Sequence, residues 1–172
     1  MRWGLGIDLP AAVSVAGGKY RFQDDQETPD TQVVSYDFAD GKTITWEGFS
    51  CNTIPYPKPF DVLFQGETGS LAIHGGGYTV FDKKGKEVGK GSGTGGDAGH
   101  TGNFVAAVRG TAKLNAPIEV AAASTMLCHL GNIAYRVGRR VLCEPKIGRP
   151  SNDPAALKLW TKEYEKGWEP KV

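Results

Sequence analysis

The chain has 172 residues, a length that argues for one domain, residues 1–172, able to bury a core of its own. Forty per cent hydrophobic and 10% aromatic residues exclude an unfolded chain, and 24 Gly with 10 Pro point to a turn-rich, largely β protein. Twenty basic against nineteen acidic residues leave a net charge of +1, which excludes a global field that draws the chain to nucleic acid or an anionic membrane.

The first half reads as strands. Residues 12–22 carry Val13, Val15, Tyr20 and Phe22, with Gly17-Gly18 interrupting as a bulge or bend. Residues 31–38 alternate Val34, Tyr36 and Phe38 against Val33, Ser35 and Asp37, and residues 42–51 alternate Ile44 and Trp46 against Thr43 and Thr45. Asp40-Gly41 between them predicts a hairpin with a type I′ turn. Three prolines in Ile54-Pro55-Tyr56-Pro57-Lys58-Pro59 remove three donors and make that stretch an extended connector. Short strands over 61–66, 70–74 and 78–82 follow, and Lys83-Lys84-Gly85-Lys86 turns the chain.

Residues 89–99 read as a flexible glycine loop, after which the apolar period becomes helical. A helix is predicted over 100–109, with Phe104, Val105 and Val108 on one stripe. The longest helix spans 117–138, with Pro117 in its first turn and Val120, Ala123, Ser124, Leu127, Leu130, Ile133, Ala134 and Val137 at helical spacing. A last helix starts near Asp153-Pro154, capped by Asn152 or Asp153, carries Leu157, Trp160 and Tyr164, and stops at Gly167. Strands first and helices after define an α+β class with a largely antiparallel sheet.

No motif establishes a catalytic centre. Cys51, Cys128 and Cys143 are odd in number and widely spaced, which argues for reduced, half-buried thiols over disulfides or zinc. No run approaches the length of a membrane helix. Gly91-Ser92-Gly93-Thr94-Gly95-Gly96 matches a dinucleotide-binding glycine pattern, but the segment before it is charged and no βαβ unit surrounds it. His100, with Asn103 one turn on, either presents an imidazole and an amide to a polyhydroxylated ligand or caps the helix and fastens the loop. His74, before Gly75-Gly76-Gly77-Tyr78, either borders a cleft or belongs to a tight turn. His129 reads as a core or interface residue of the long helix.

Several stretches carry a resemblance: Gly18-Lys19-Tyr20-Arg21-Phe22, Glu27-Thr28-Pro29-Asp30-Thr31-Gln32, Gly99-His100-Thr101-Gly102-Asn103-Phe104, and Cys128-His129-Leu130-Gly131-Asn132-Ile133-Ala134-Tyr135-Arg136. Together with Asp40-Gly41-Lys42-Thr43-Ile44-Thr45-Trp46-Glu47 and the segment from Glu163, they are similar, in order, to the C-terminal domain of Gfo/Idh/MocA oxidoreductases. The resemblance implies an open, largely antiparallel sheet with helices packed on one face, as in the C-terminal domain of glyceraldehyde-3-phosphate dehydrogenase. It implies subunit contacts through the other face. His100 and Asn103 become candidates for lining a substrate cleft, with Tyr78 and His74 as weaker ones. The family's Rossmann domain, its catalytic lysine, and the Asp and His of the linking helix have no counterpart here and are expected upstream of Met1.

The expectation is therefore a substrate-binding and oligomerisation domain of a sugar or polyol oxidoreductase, inactive alone. No cofactor is expected in this chain, although the family uses NAD or NADP. Its expected partners are a second copy of itself, a Rossmann domain supplied elsewhere, and a sugar or polyol. A cytoplasmic location is expected, or a periplasmic one if an upstream leader was removed. The competing readings are a free-standing, non-catalytic oligomeric carbohydrate-binding module and a fragment of an NAD-dependent glycosidase of the same superfamily.

Overall fold

A computed structural model describes residues 1–51, 60–93 and 96–169. The predicted connector over 54–59 lies outside the described residues. In chain order the elements are α1 (Arg2–Leu5), β1 (Ala12–Gly18), β2 (Thr31–Asp37), β3 (Thr43–Phe49), β4 (Val62–Gln65), β5 (Gly69–His74) and β6 (Gly77–Asp82). They continue as β7 (Glu87–Ser92), α2 (Asp97–Val108), α3 (Ile118–Val137), β8 (Val141–Leu142) and α4 (Pro154–Trp160). The α+β class with antiparallel strands holds, and the strands form two four-stranded sheets, β3-β2-β1-β8 and β4-β5-β6-β7. The chain divides into two compact units, Arg2–Thr53 with Glu119–Val172, and Met1 with Ile54–Ile118.

In the unit built on the first sheet, strand alternation puts Val13, Val34, Tyr36 and Ile44 on one face, all at most 5% exposed. The helix α3 covers that face with Leu130, Ile133 and Ala134, which are buried with it in one cluster. Close approach is achieved at Gly131, where a methyl group would stand 3.1 Å from the Tyr36 hydroxyl and 3.4 Å from a Val34 methyl. This apolar face of the first sheet is thus covered from within the chain. The opposite face presents Ser14, Ala16, Val33, Ser35 and Thr45, which are small or exposed.

Arg2 ties α1 to α3. It is only 8% exposed, and it donates to the Asp8 carbonyl at 2.8 Å, to the Val120 carbonyl at 3.2 Å and to the Ser124 hydroxyl at 3.0 Å. The remaining guanidinium nitrogen pairs with the Asp8 carboxylate at 2.8 Å, so the buried charge is hydrogen-bonded on several sides.

Several local expectations are corrected. The first strand ends at Gly18, not Phe22, because Gly17 sits at φ 147°, where L-residues rarely go, and a Cβ there would strike the Thr31 carbonyl. Tyr20 and Phe22 consequently lie outside the strand, 73% and 46% exposed. The Asp40-Gly41 hairpin has a three-residue loop in place of the type I′ turn. The Gly41 N–H donates to the Phe38 carbonyl, the Phe38 N–H to the Lys42 carbonyl, and only Gly41 has positive φ. The same bonds close the turn at Asp82 and Lys86 around Gly85.

The glycine segment is partly strand: Gly89 and Gly91 lie in β7, and at Gly91 the absent side chain makes room for Tyr78 of β6. The helix predicted at 100 begins three residues earlier, at Asp97. On α3 only the C-terminal half of the predicted stripe is buried, and Val120 is 49% exposed. The last helix starts as predicted, with Asp153 as its cap accepting from the Ala156 N–H, but ends at Trp160 because Thr161 turns extended. Tyr164 is therefore outside it. Two residues, Val141–Leu142, form the edge strand β8 against β1, too short for any periodic signal.

Candidate functional site

The four candidate site residues all belong to the unit that carries the second sheet. His74 ends β5 and Tyr78 is the second residue of β6, the strands joined by a tight turn in which Gly75 has φ 54°. The pairing His74↔Gly77 and Ile73↔Tyr78 puts the two side chains on opposite faces of the sheet. On one face, His74 Nε2 is hydrogen-bonded to the Thr79 hydroxyl at 3.0 Å. On the other, the Tyr78 ring lies over Gly91, where a methyl group would stand only 2.7 Å from the phenol oxygen. Tyr78 remains 41% exposed and is a flat platform with a polar tip.

His100 and Asn103 sit one turn apart on α2. The Asn103 carboxamide is engaged with the backbone: its nitrogen donates to the Lys113 carbonyl at 2.8 Å and its oxygen accepts from the Asn115 N–H at 2.8 Å. Of the two roles open to it from sequence, the one seen is fastening a loop, and the loop is the one after the helix. His100 is exposed, and among the described residues its ring makes no hydrogen bond. A shallow groove runs along α2 past Thr101, Val105 and Arg109, with neither His100 nor Asn103 in its walls. The structure thus places His100 and Asn103 one turn apart on α2, and His74 and Tyr78 on opposite faces of the second sheet.

The described residues flanking the glycine segment differ from those of a dinucleotide-binding βαβ unit. The strand before it, β7, pairs antiparallel with β6, and α2 places Asp97 in its first turn. A carboxylate there opposes a pyrophosphate at the helix N-terminus. Thr94 and Gly95 lie outside the described residues. Among the described residues no group of three His, Cys, Asp or Glu could hold a metal ion, and no helix is long and apolar enough to cross a membrane.

The unit with the first sheet holds a feature that the sequence reading passed over. His129, Asn132 and Arg136 recur at three- and four-residue spacing on α3 and line one cavity of about 420 Å³ with Trp160 and Lys162. His129 is exposed, which corrects the core half of its sequence assignment and leaves the interface half untested. The signal in the sequence is a polar stripe at the same helical spacing, beside the apolar one of Leu130 and Ala134.

The sequence matches no protein-family model and no curated protein. Its fold is shared with solved oxidoreductases. A provisionally assigned oxidoreductase from Klebsiella pneumoniae superposes with TM-score 0.60 at 12% identity, over 88% of this chain and 47% of that chain. The WlbA dehydrogenase from Bordetella pertussis, solved with NADH and UDP-GlcNAcA, superposes with TM-score 0.51 at 14% identity, over 79% and 39%. An oxidoreductase from Agrobacterium radiobacter, solved with NAD+, L-tartaric acid and magnesium, superposes with TM-score 0.52 at 15% identity, over 82% and 45%. This chain spans less than half the length of each of these structures.

Proposed function

We propose that the chain is the substrate-side and assembly domain of an NAD(P)-dependent sugar or polyol oxidoreductase of the Gfo/Idh/MocA type. The observation that carries this reading is the fold likeness: about four-fifths or more of this chain superposes on less than half of oxidoreductases, two of which are solved with NAD bound. The sequence resemblance supports it, because its motifs run through the chain in order. In this reading Tyr78 offers a ring to a sugar face and His100 an unengaged imidazole to its hydroxyls, while hydride and proton transfer need groups from a cofactor domain.

Calorimetric titration with NAD(H) and NADP(H) tests the reading. The expected affinity is no tighter than about millimolar, and no dehydrogenase turnover is expected from the chain alone. A micromolar isotherm would overturn it.

A second reading, a non-catalytic homo-oligomeric carbohydrate-binding module, is favoured by the outer face of the first sheet. Ser14, Ala16, Ser35 and Thr45 make that face flat, and Val33 is 38% exposed on it, a surface suited to a second copy. Light scattering at tens of micromolar separates the outcomes (roughly the range of a modest interface): a symmetric dimer supports self-association, and a monomer argues against it.

A further inference from the structure

We propose that the cavity between α3 and the end of α4 binds a small organic anion built on a hydroxylated ring, a sugar acid or a sugar phosphate. The walls divide by chemistry. Ile133, Leu159 and Trp160 supply an apolar floor, with Ile133 5% exposed and Trp160 half-buried. Trp160 packs against the hydrophobic core, so its ring is held in place and can stack on the C–H face of a sugar.

Above that floor stand His129, Asn132 and Arg136 from successive turns of α3, and Lys162 from beyond the end of α4. Two of these, Arg136 and Lys162, are basic, and no Asp or Glu is among the described residues that line the cavity. Glu27, outside the lining, offsets the Arg136 charge, which leaves Lys162 as the lining cation without a carboxylate partner among the described residues. His129 and Asn132 make no side-chain hydrogen bond among the described residues, which leaves donors and acceptors for hydroxyl groups. A volume of 420 Å³ is of the size that holds a monosaccharide.

The carboxylate of Glu27 marks where the anion goes. It pairs with one terminal nitrogen of Arg136, and both side chains are solvent-exposed, Glu27 at 73% and Arg136 at 44%. Exposed pairs of this kind are weak, so an incoming carboxylate or phosphate can displace Glu27 at little cost. Arg136 presents five N–H donors in a planar fork, and Glu27 occupies one nitrogen of it. Lys162 lies 5.8 Å from the Tyr164 ring centroid, a cation–π contact that leaves its N–H donors available.

The test is a calorimetric titration of the full chain with glucuronate, with glucose 6-phosphate, and with glucose as the uncharged control. Saturable binding of one anion or both is expected at or below about millimolar, with glucose at least tenfold weaker. The stronger anion identifies the source of the charge. Lys162→Gln and Arg136→Gln should each weaken binding by about threefold to tenfold. Glu27→Gln should tighten it by roughly twofold to fivefold, because it frees the guanidinium, an effect no loss of structure produces. These side chains are exposed, and a melting curve on each variant verifies the fold; Lys162→Arg, which keeps the charge, should restore affinity.

The proposal is overturned if neither anion binds at concentrations on the order of 10 mM. It is equally overturned if glucose binds as well as the anions, or if the Lys162 and Glu27 substitutions leave affinity unchanged. The sugar-oxidoreductase reading does not depend on this site, and the two stand or fall on separate titrations.

Discussion

The Tyr36 hydroxyl on β2 donates to the Leu127 carbonyl on α3 at 2.8 Å, directly beside Gly131. This bond pins helix to sheet where Gly131 leaves room for close packing. In the helix Leu127 also faces the Gly131 N–H four residues on, so losing the phenol does not orphan its carbonyl. Tyr36→Phe should therefore cost only about 1 kcal/mol. Gly131→Ala should also destabilise the protein, since the methyl meets a hydroxyl that the Leu127 bond prevents from retreating. In the Tyr36→Phe background the nearest obstacle is gone and Val34 at 3.4 Å is in tight but apolar contact. There the helix preference for Ala over Gly, about 1 kcal/mol, should make the same substitution neutral or stabilising. A double-mutant cycle by urea denaturation checks this, and additive effects would contradict it.

Asp30 organises the loop between β1 and β2. Its carboxylate accepts from the N–H groups of Tyr20, Arg21 and Phe22 and from the Thr31 hydroxyl, and Asp30 itself is 3% exposed. The Arg21 N–H foremost, opposed by burial and helped by Tyr20, Thr31 and Phe22, lowers its pKa from 3.8 to about 2. A folded-state pKa below the unfolded value means that the unfolded chain binds more protons in between. The contribution is thus complete above about pH 4 and is lost as pH falls towards 2. Melting temperature against pH should show Asp30→Asn below wild type at pH 7, with the gap narrowing through that window. A gap independent of pH would assign the loss to shape and not to charge.

Strand pairs with alternating side chains were legible in the sequence because one face of each is buried, as with Val34, Tyr36 and Ile44. The capped start of α4 was legible for a local reason, the Asp153 carboxylate accepting from the Ala156 N–H. What stayed hidden depends on neighbours distant in sequence. Gly91 reads as loop composition until Tyr78 of the paired strand β6 is seen lying over it. Val141–Leu142 becomes a strand only because β1 offers it an edge. The candidate site was legible only as residue types: Asn103 is a plausible sugar ligand in sequence, but a non-local partner, the backbone of Lys113 and Asn115, occupies its amide.

That engagement separates Asn103 from His100 experimentally. Asn103→Ala removes two hydrogen bonds that hold the segment after α2, and should cost about 1–2 kcal/mol. It should also raise amide exchange in residues 111–115. His100→Ala touches an exposed ring with no partner among the described residues and should stay within about 0.5 kcal/mol of wild type. Equal losses from the two substitutions would mean that His100 carries a structural contact as well.

The three thiols are free and differ in burial: Cys128 is exposed, Cys51 half-buried and Cys143 buried. Burial in the core pushes the Cys143 thiol up to about 11, and its sulfur lies 3.9 Å from the Val141 carbonyl. At pH 8 its thiolate fraction is then on the order of one in a thousand, and the reagent has no path to it in the folded state. Cys51 is partly shielded, its sulfur 3.6 Å from the Thr31 hydroxyl. A disulfide-exchange reagent should therefore label Cys128 first and Cys51 second. Cys143 should label only as the first sheet opens, because it belongs to the core cluster that holds Val13 and Leu130. Its labelling rate should rise with urea in parallel with global unfolding. Fast labelling of Cys143 without denaturant would show that β8 detaches from β1 on its own.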